Sequence, residues 1–373
     1  MITRDSCYFC TSTYQLLSII SLAATRGESA DLYIDPQFKD AVHIAEHVEE
    51  LKLFECIKVI DADEIYRSFF SHRRGLLNHL EIARSYLLID KIAQMILEPG
   101  IKYNNMFISS RAYMPRMVQL FLIKHGINTK VNYFEDGIGS YLADHSYAPR
   151  MSDAILRKML FGKSALLTNH DRYLFSPEIF RSINKSSKCG LFKIDNIFNE
   201  PEWLNAMNKV FGYDESEQLK ERTVIIDEPL KDMLTNEQVS EVLGAYRTVL
   251  KYSGQNDTVL KLHPRTNERH EIPCAVFQSH GVPFEVVCMN NNVSDSVLVT
   301  FASTAVATPR ILLHQEPYII LLYNILSTPY QAAKSLDDFF YSISKDRIDK
   351  KVFLPNDMEE LVYALNIIYG GRC

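Results

Sequence analysis

The chain has 373 residues, more than one typical core accommodates, so two domains are expected. Its 47% hydrophobic and 23% charged content is that of a folded protein, and a net charge of -6 without a dense basic block argues against nucleic acid as the main ligand. Seven cysteines at irregular spacing do not form a disulfide framework. Cys7 and Cys10 make a CxxC with no second pair at zinc spacing, and read as buried thiols in a reducing cytoplasm. The apolar stretch at 16–24 is too short to span a bilayer, and no secretory signal is read.

Residues 6–10 read as a first buried strand. Thr11, Ser12 and Thr13 follow as a hydroxyl-rich turn, and 14–24 as a helix that one of them caps. Strands are then expected at 30–34, 56–60, 105–109 and 130–134, with helices at 38–53, 64–97 and 113–125 between them. A further strand is expected near 170–175. Residues 192–203, with Asn196, Asn199 and Pro201, read as a crossing between domains. The boundary is placed near 195–222, giving domains of 1–205 and 206–373. A second alternating series follows, with strands at 223–226, 259–262, 284–287, 296–301 and 318–322. Helices are expected at 236–252 and 358–369. Two such series predict α/β architecture with two Rossmann-like domains, each a parallel sheet covered by helices. Lys and Arg gather in 150–163 and 181–193. That patch could touch an anionic membrane surface, although a solvated face is the plainer reading.

Three stretches carry chemistry. Glu135, Asp136 and Gly137 follow the 130–134 strand directly. Successive side chains of an extended chain point opposite ways, so one carboxylate can face a ligand while the other bonds backbone groups. A carboxylate there suits a general base acting on a sugar hydroxyl, and the glycine permits a tight turn. His263, Pro264 and Arg265 end the 259–262 strand, because proline cannot continue a central ladder. The imidazole can donate a proton or a hydrogen bond, and the guanidinium can fork onto a phosphate. Ser303 and Thr304 follow the 296–301 strand, where hydroxyls and backbone N–H groups would cradle a phosphate. Each stretch alone has a plain reading as a turn, a surface loop or a helix cap.

Together, in this order and placement, these stretches resemble the bacterial sialyltransferases, in particular glycosyltransferase family 52, and share motifs with the bacterial polysialyltransferases. The similar residues are Glu135-Asp136-Gly137, His263-Pro264 with Arg265, Ser303-Thr304, and the opening Thr11-Ser12-Thr13-Tyr14-Gln15. The resemblance implies a GT-B fold with two domains facing a cleft, CMP-sialic acid as donor, inversion at the anomeric carbon, and no metal or cofactor. His263 would act as general acid at the CMP phosphate. Arg265 would bind the nucleotide, and Ser303 and Thr304 the phosphate. The base is open between Glu135 or Asp136 and Asp227, since Leu230 stands after Pro229 where some family members carry an acid. The implied acceptor is a terminal sugar, such as galactose, of a bacterial surface glycan. The implied location is the cytoplasm or the inner membrane face, with a homodimer open. Competing readings are a GT-B transferase using another nucleotide sugar, a non-catalytic nucleotide-sugar or glycan binder, and a GT-B epimerase or hydrolase that needs no acceptor.

Overall fold

The computed structural model describes residues 2–70, 76–109, 112–142, 151–162, 170–216, 218–263, 272–277, 281–344 and 351–370. The chain divides into two compact units. The first comprises Met1–Pro177 and Asn184–Asp195, and the second Glu178–Ile183 and Asn196–Cys373.

The first unit is built on a seven-stranded sheet. Its strands are β1 (Ile2–Cys10), β2 (Ala30–Ile34), β3 (Cys56–Val59), β4 (Ile101–Ile108), β5 (Lys130–Phe134), β6 (Asp171–Leu174) and β7 (Leu191–Lys193). The order is β3-β2-β1-β4-β5-β6-β7, and every pairing is parallel. The second unit has six strands: β8 (Thr223–Ile226), β9 (Thr258–Lys261), β10 (Ala275–Val276), β11 (Val297–Thr300), β12 (Tyr318–Leu321) and β13 (Val352–Phe353). Their order is β10-β9-β8-β11-β12-β13, again parallel throughout. The central strands are buried toward their carboxyl ends, as parallel strands covered on both faces must be. Residues 6–10, 30–34, 223–226 and 297–300 carry no exposed position.

The sheet order reverses direction between β1 and β4 in the first unit and between β8 and β11 in the second. Ligands of open α/β sheets bind outside the carboxyl ends of the strands at such switch points. The helices beside these edges are well specified. Helix Thr13–Arg26 is capped by Ser12 and stopped by Gly27 in the left-handed conformation. Helix Asn236–Ser253 opens on a full capping box between Thr235 and Gln238.

Three expectations need correction. Residues 284–287 are not a strand but the start of helix Phe284–Asn290, preceded by Pro283. A short run buried all round carries no periodicity that separates strand from helix. The 192–203 crossing contains an edge strand, β7, and the start of helix Pro201–Phe211. Strand β7 is three residues long with Phe192 44% exposed, so its strand character comes from pairing with β6 and not from an apolar run. Strand β4 begins at Ile101, four residues before the expected start, because its first residues pair with Ile2, Thr3 and Arg4 of β1. Cys7 and Cys10 are buried free thiols, and burial pushes both well above the ordinary thiol range. Among the described residues no helix is long and apolar enough to cross a membrane.

Candidate functional site

Each unit places its chemistry-bearing residues at the carboxyl edge of its sheet. In the first unit β1 ends at Cys10 and the chain turns through Thr11 and Ser12 into helix Thr13–Arg26. Both hydroxyls are used locally. Ser12 accepts the Gln15 N–H at 3.2 Å, and buried Gln15 accepts the Thr11 N–H at 2.6 Å and its hydroxyl at 3.1 Å. The turn is therefore held rigid from within, as an N-cap requires. Thr13 is the first helical residue.

Glu135 and Asp136 follow β5 and divide their work. Glu135 is fully buried. Its Oε1 accepts the Tyr14 hydroxyl at 2.5 Å, while its Oε2 accepts the Tyr141 hydroxyl at 2.5 Å and the Phe175 N–H at 2.8 Å. One carboxylate thus ties the start of helix Thr13–Arg26, the helix Gly139–Leu142 and the residue just past β6 to the end of β5. Burial raises its pKa from 4.5 to about 7, with the nearby Asp136 charge adding to the rise; the three hydrogen bonds oppose it. Asp136 is exposed, and its N–H donates to Ser140 Oγ at 2.8 Å. Gly137 has φ of 86°, a left-handed conformation in which a side chain is strained, and this lets the chain turn sharply beneath the exposed carboxylate.

In the second unit β8 lies between β9 and β11, with Ile226 in register with Lys261 on one side and Thr300 on the other. The carboxyl edge therefore brings three segments side by side: His263 two residues beyond β9, Asp227 and Glu228 after β8, and Ser303-Thr304 just beyond β11. His263, Ser303 and Thr304 are partly exposed. Ser303 Oγ accepts the Ala305 N–H at 3.4 Å and opens the short helical turn Thr304–Ala307. Asp227 is fully buried, and its N–H donates to the Lys261 carbonyl at 2.9 Å, which extends the ladder between β8 and β9 by one residue. Glu228 is 6% exposed and accepts both the Thr300 hydroxyl at 2.7 Å and the Ala302 N–H at 2.8 Å. Burial raises its pKa, against those hydrogen bonds. Pro264 and Arg265 lie outside the described residues.

The structure thus brings Thr11, Ser12, Thr13, Glu135, Asp136 and Gly137 to one edge, and Asp227, His263, Ser303 and Thr304 to another. Sequence reasoning gave no role to Tyr14, Tyr141, Glu228 or Thr300. Tyr14 stands beside the hydroxyl turn and Glu228 beside Asp227, so proximity to a motif was the one signal available. Their roles depend on partners 121 and 74 residues away in the chain, for Tyr14 with Glu135 and Glu228 with Ala302.

No protein-family model and no curated protein matches the chain. Solved structures do. The UDP-GlcNAc 2-epimerase of Methanocaldococcus jannaschii, in complex with UDP-GlcNAc and UDP, is similar with a TM-score of 0.54 at 12% identity, covering 98% of this chain and 92% of that one. A variant of Os79 from O. sativa in complex with UDP gives a TM-score of 0.50 at 10% identity, covering 99% and 91%. The fold is GT-B. At these identities the likeness speaks to the fold alone.

Proposed function

We propose that the chain is an inverting sialyltransferase that moves sialic acid from CMP-sialic acid to a terminal sugar hydroxyl, such as that of galactose, on a bacterial surface glycan. The observation that carries this reading is the division of labour at the end of β5: a buried Glu135 that braces the edge and an exposed Asp136 beside it. Asp136 is the general base that takes the acceptor hydroxyl proton, and Glu135 holds the loop that presents it. The acceptor oxygen attacks the anomeric carbon as its bond to the CMP phosphate oxygen breaks. His263 gives a proton to that phosphate, and the Ser303-Thr304 turn supplies hydroxyl and backbone donors for the charge that develops there. A monophosphate leaving group asks for less neutralisation than a diphosphate, so this set suffices in the proposal without a metal or cofactor. Asp227, fully buried, is not assigned as the base. The reading includes work in the cytoplasm or in peripheral contact with an anionic inner membrane face.

A second reading has a specific observation behind it. The similar solved structures hold UDP or UDP-GlcNAc, so a GT-B enzyme acting on a UDP-sugar is the alternative donor class. The test is nucleotide release by the purified chain from CMP-sialic acid and from a panel of UDP-sugars, with and without galactose-terminated oligosaccharides, followed by product analysis. Acceptor-dependent release of CMP supports the proposal. Release confined to UDP-sugars selects the second reading, and a UDP-sugar isomer formed without acceptor identifies an epimerase.

A further inference from the structure

The switch point of the second unit holds a polar cluster inside an otherwise apolar layer. Thr300 ends β11 with no exposed surface, and Val297, Leu298 and Val299 before it are equally buried. Its hydroxyl lies 2.7 Å from Glu228 Oε2 and 3.0 Å from the Ile226 carbonyl. A hydroxyl has one proton, and the carboxylate is the stronger acceptor. With the proton so directed, a lone pair of Thr300 Oγ1 faces the Ser303 N–H at 3.4 Å. The same Glu228 oxygen accepts the Ala302 N–H at 2.8 Å. Two consecutive N–H groups of the loop are therefore fixed by one side chain, directly at Ala302 and through Thr300 at Ser303. The hydroxyl of Ser303 then caps the turn that Thr304 begins.

We infer that Glu228 is a positioning residue that shapes the Ser303-Thr304 loop into the phosphate cradle of the nucleotide site. This rests on the nucleotide-sugar reading above. The first unit uses the same device: Glu135, just past β5, accepts the Phe175 N–H just past neighbouring β6, as Glu228, just past β8, accepts the Ala302 N–H just past neighbouring β11. A satisfied buried polar network rigidifies and specifies one geometry where an apolar pair would leave the loop several. The carboxylate uses the Ala302 N–H itself, which leaves the Thr304 N–H and the hydroxyls of Ser303 and Thr304 to meet a phosphate.

The experiment compares the full chain with Glu228→Ala, Glu228→Gln and Thr300→Val. Amide hydrogen exchange is read at 302–304, and binding of CMP and of UMP is measured by calorimetry. Glu228→Ala speeds exchange of those amides and weakens nucleotide binding, each by about tenfold or more, while exchange at 175 stays unchanged. Glu228→Gln restores most of both, since an amide oxygen still accepts the Ala302 N–H. Thr300→Val falls between, and with Gln it decides the matter if Glu228→Ala does not fold. Unchanged exchange in all three variants overturns the inference, as does faster exchange with unaltered affinity. If the unaltered chain binds neither CMP nor UMP, the nucleotide reading fails and the phosphate-cradle role of Glu228 fails with it. The exchange comparison then separately decides whether Glu228 shapes the loop.

Discussion

Two adjacent carboxylates, Glu135 and Asp136, occupy opposite environments one residue apart. The alternation of an extended chain made that split legible in the sequence, but not which of the two turns inward. The choice is made by Tyr141, six residues along the chain, and by Tyr14, whose hydroxyl reaches Glu135 from an element that the sequence does not show to be a neighbour. Asp136→Asn should therefore lower kcat by about 10²–10⁴-fold with the donor KM nearly unchanged, as measured in steady-state CMP release. Glu135→Gln should retain most of kcat, and its signature lies in stability. Because the Glu135 pKa is raised from 4.5 to about 7, the folded chain holds a proton that the unfolded chain has lost across that window. The Glu135 contribution is full below about pH 4.5 and is lost as the pH rises through about 7. Urea midpoints measured from about pH 5 to about pH 8 should fall less in Glu135→Gln than in the unaltered chain. An equal fall in both would remove Glu135 as the titrating group.

At the scale of elements, what the sequence revealed depended on burial. Strands β2, β5 and β8 fall where their apolar runs predict, since a buried strand between turn residues leaves a clear pattern. Strand β7 and helix Phe284–Asn290 escaped, the first because an edge strand needs a partner more than a pattern, the second because burial on all sides erases the period. The bond from Tyr14 at the start of helix Thr13–Arg26 to Glu135 after β5 joins two elements across the switch point. Tyr14→Phe leaves a buried carboxylate oxygen without that donor and should cost about 1–3 kcal/mol in denaturant unfolding. A second expectation concerns helix Met151–Phe161. Leu156 and Phe161 pack against the core of the first unit, whereas Ile155 and Met159 on the outward face are 56% and 79% exposed beside exposed Lys158. A surface helix normally presents polar residues there. Apolar tips with a cation suit an anionic lipid surface. The chain should therefore sediment with vesicles containing anionic lipid and not with neutral ones, and Ile155→Asp with Met159→Asp should abolish this.

For the whole molecule, two alternating series predicted two parallel α/β units, and both sheets follow. The switch points could not be read from the chain, because strand order depends on which crossovers pass over which face. They explain why residues as far apart as Thr11 and Glu135, or Asp227 and Ser303, share an edge. The donor is a finer matter than the fold, since solved structures that share the fold hold UDP. The most direct test of the central claim is CMP release from CMP-sialic acid by the purified chain, with EDTA present and galactose-terminated oligosaccharide added, beside His263→Ala. The account predicts release that the acceptor stimulates, EDTA spares and the substitution abolishes. A folded chain that releases no CMP and binds none contradicts it.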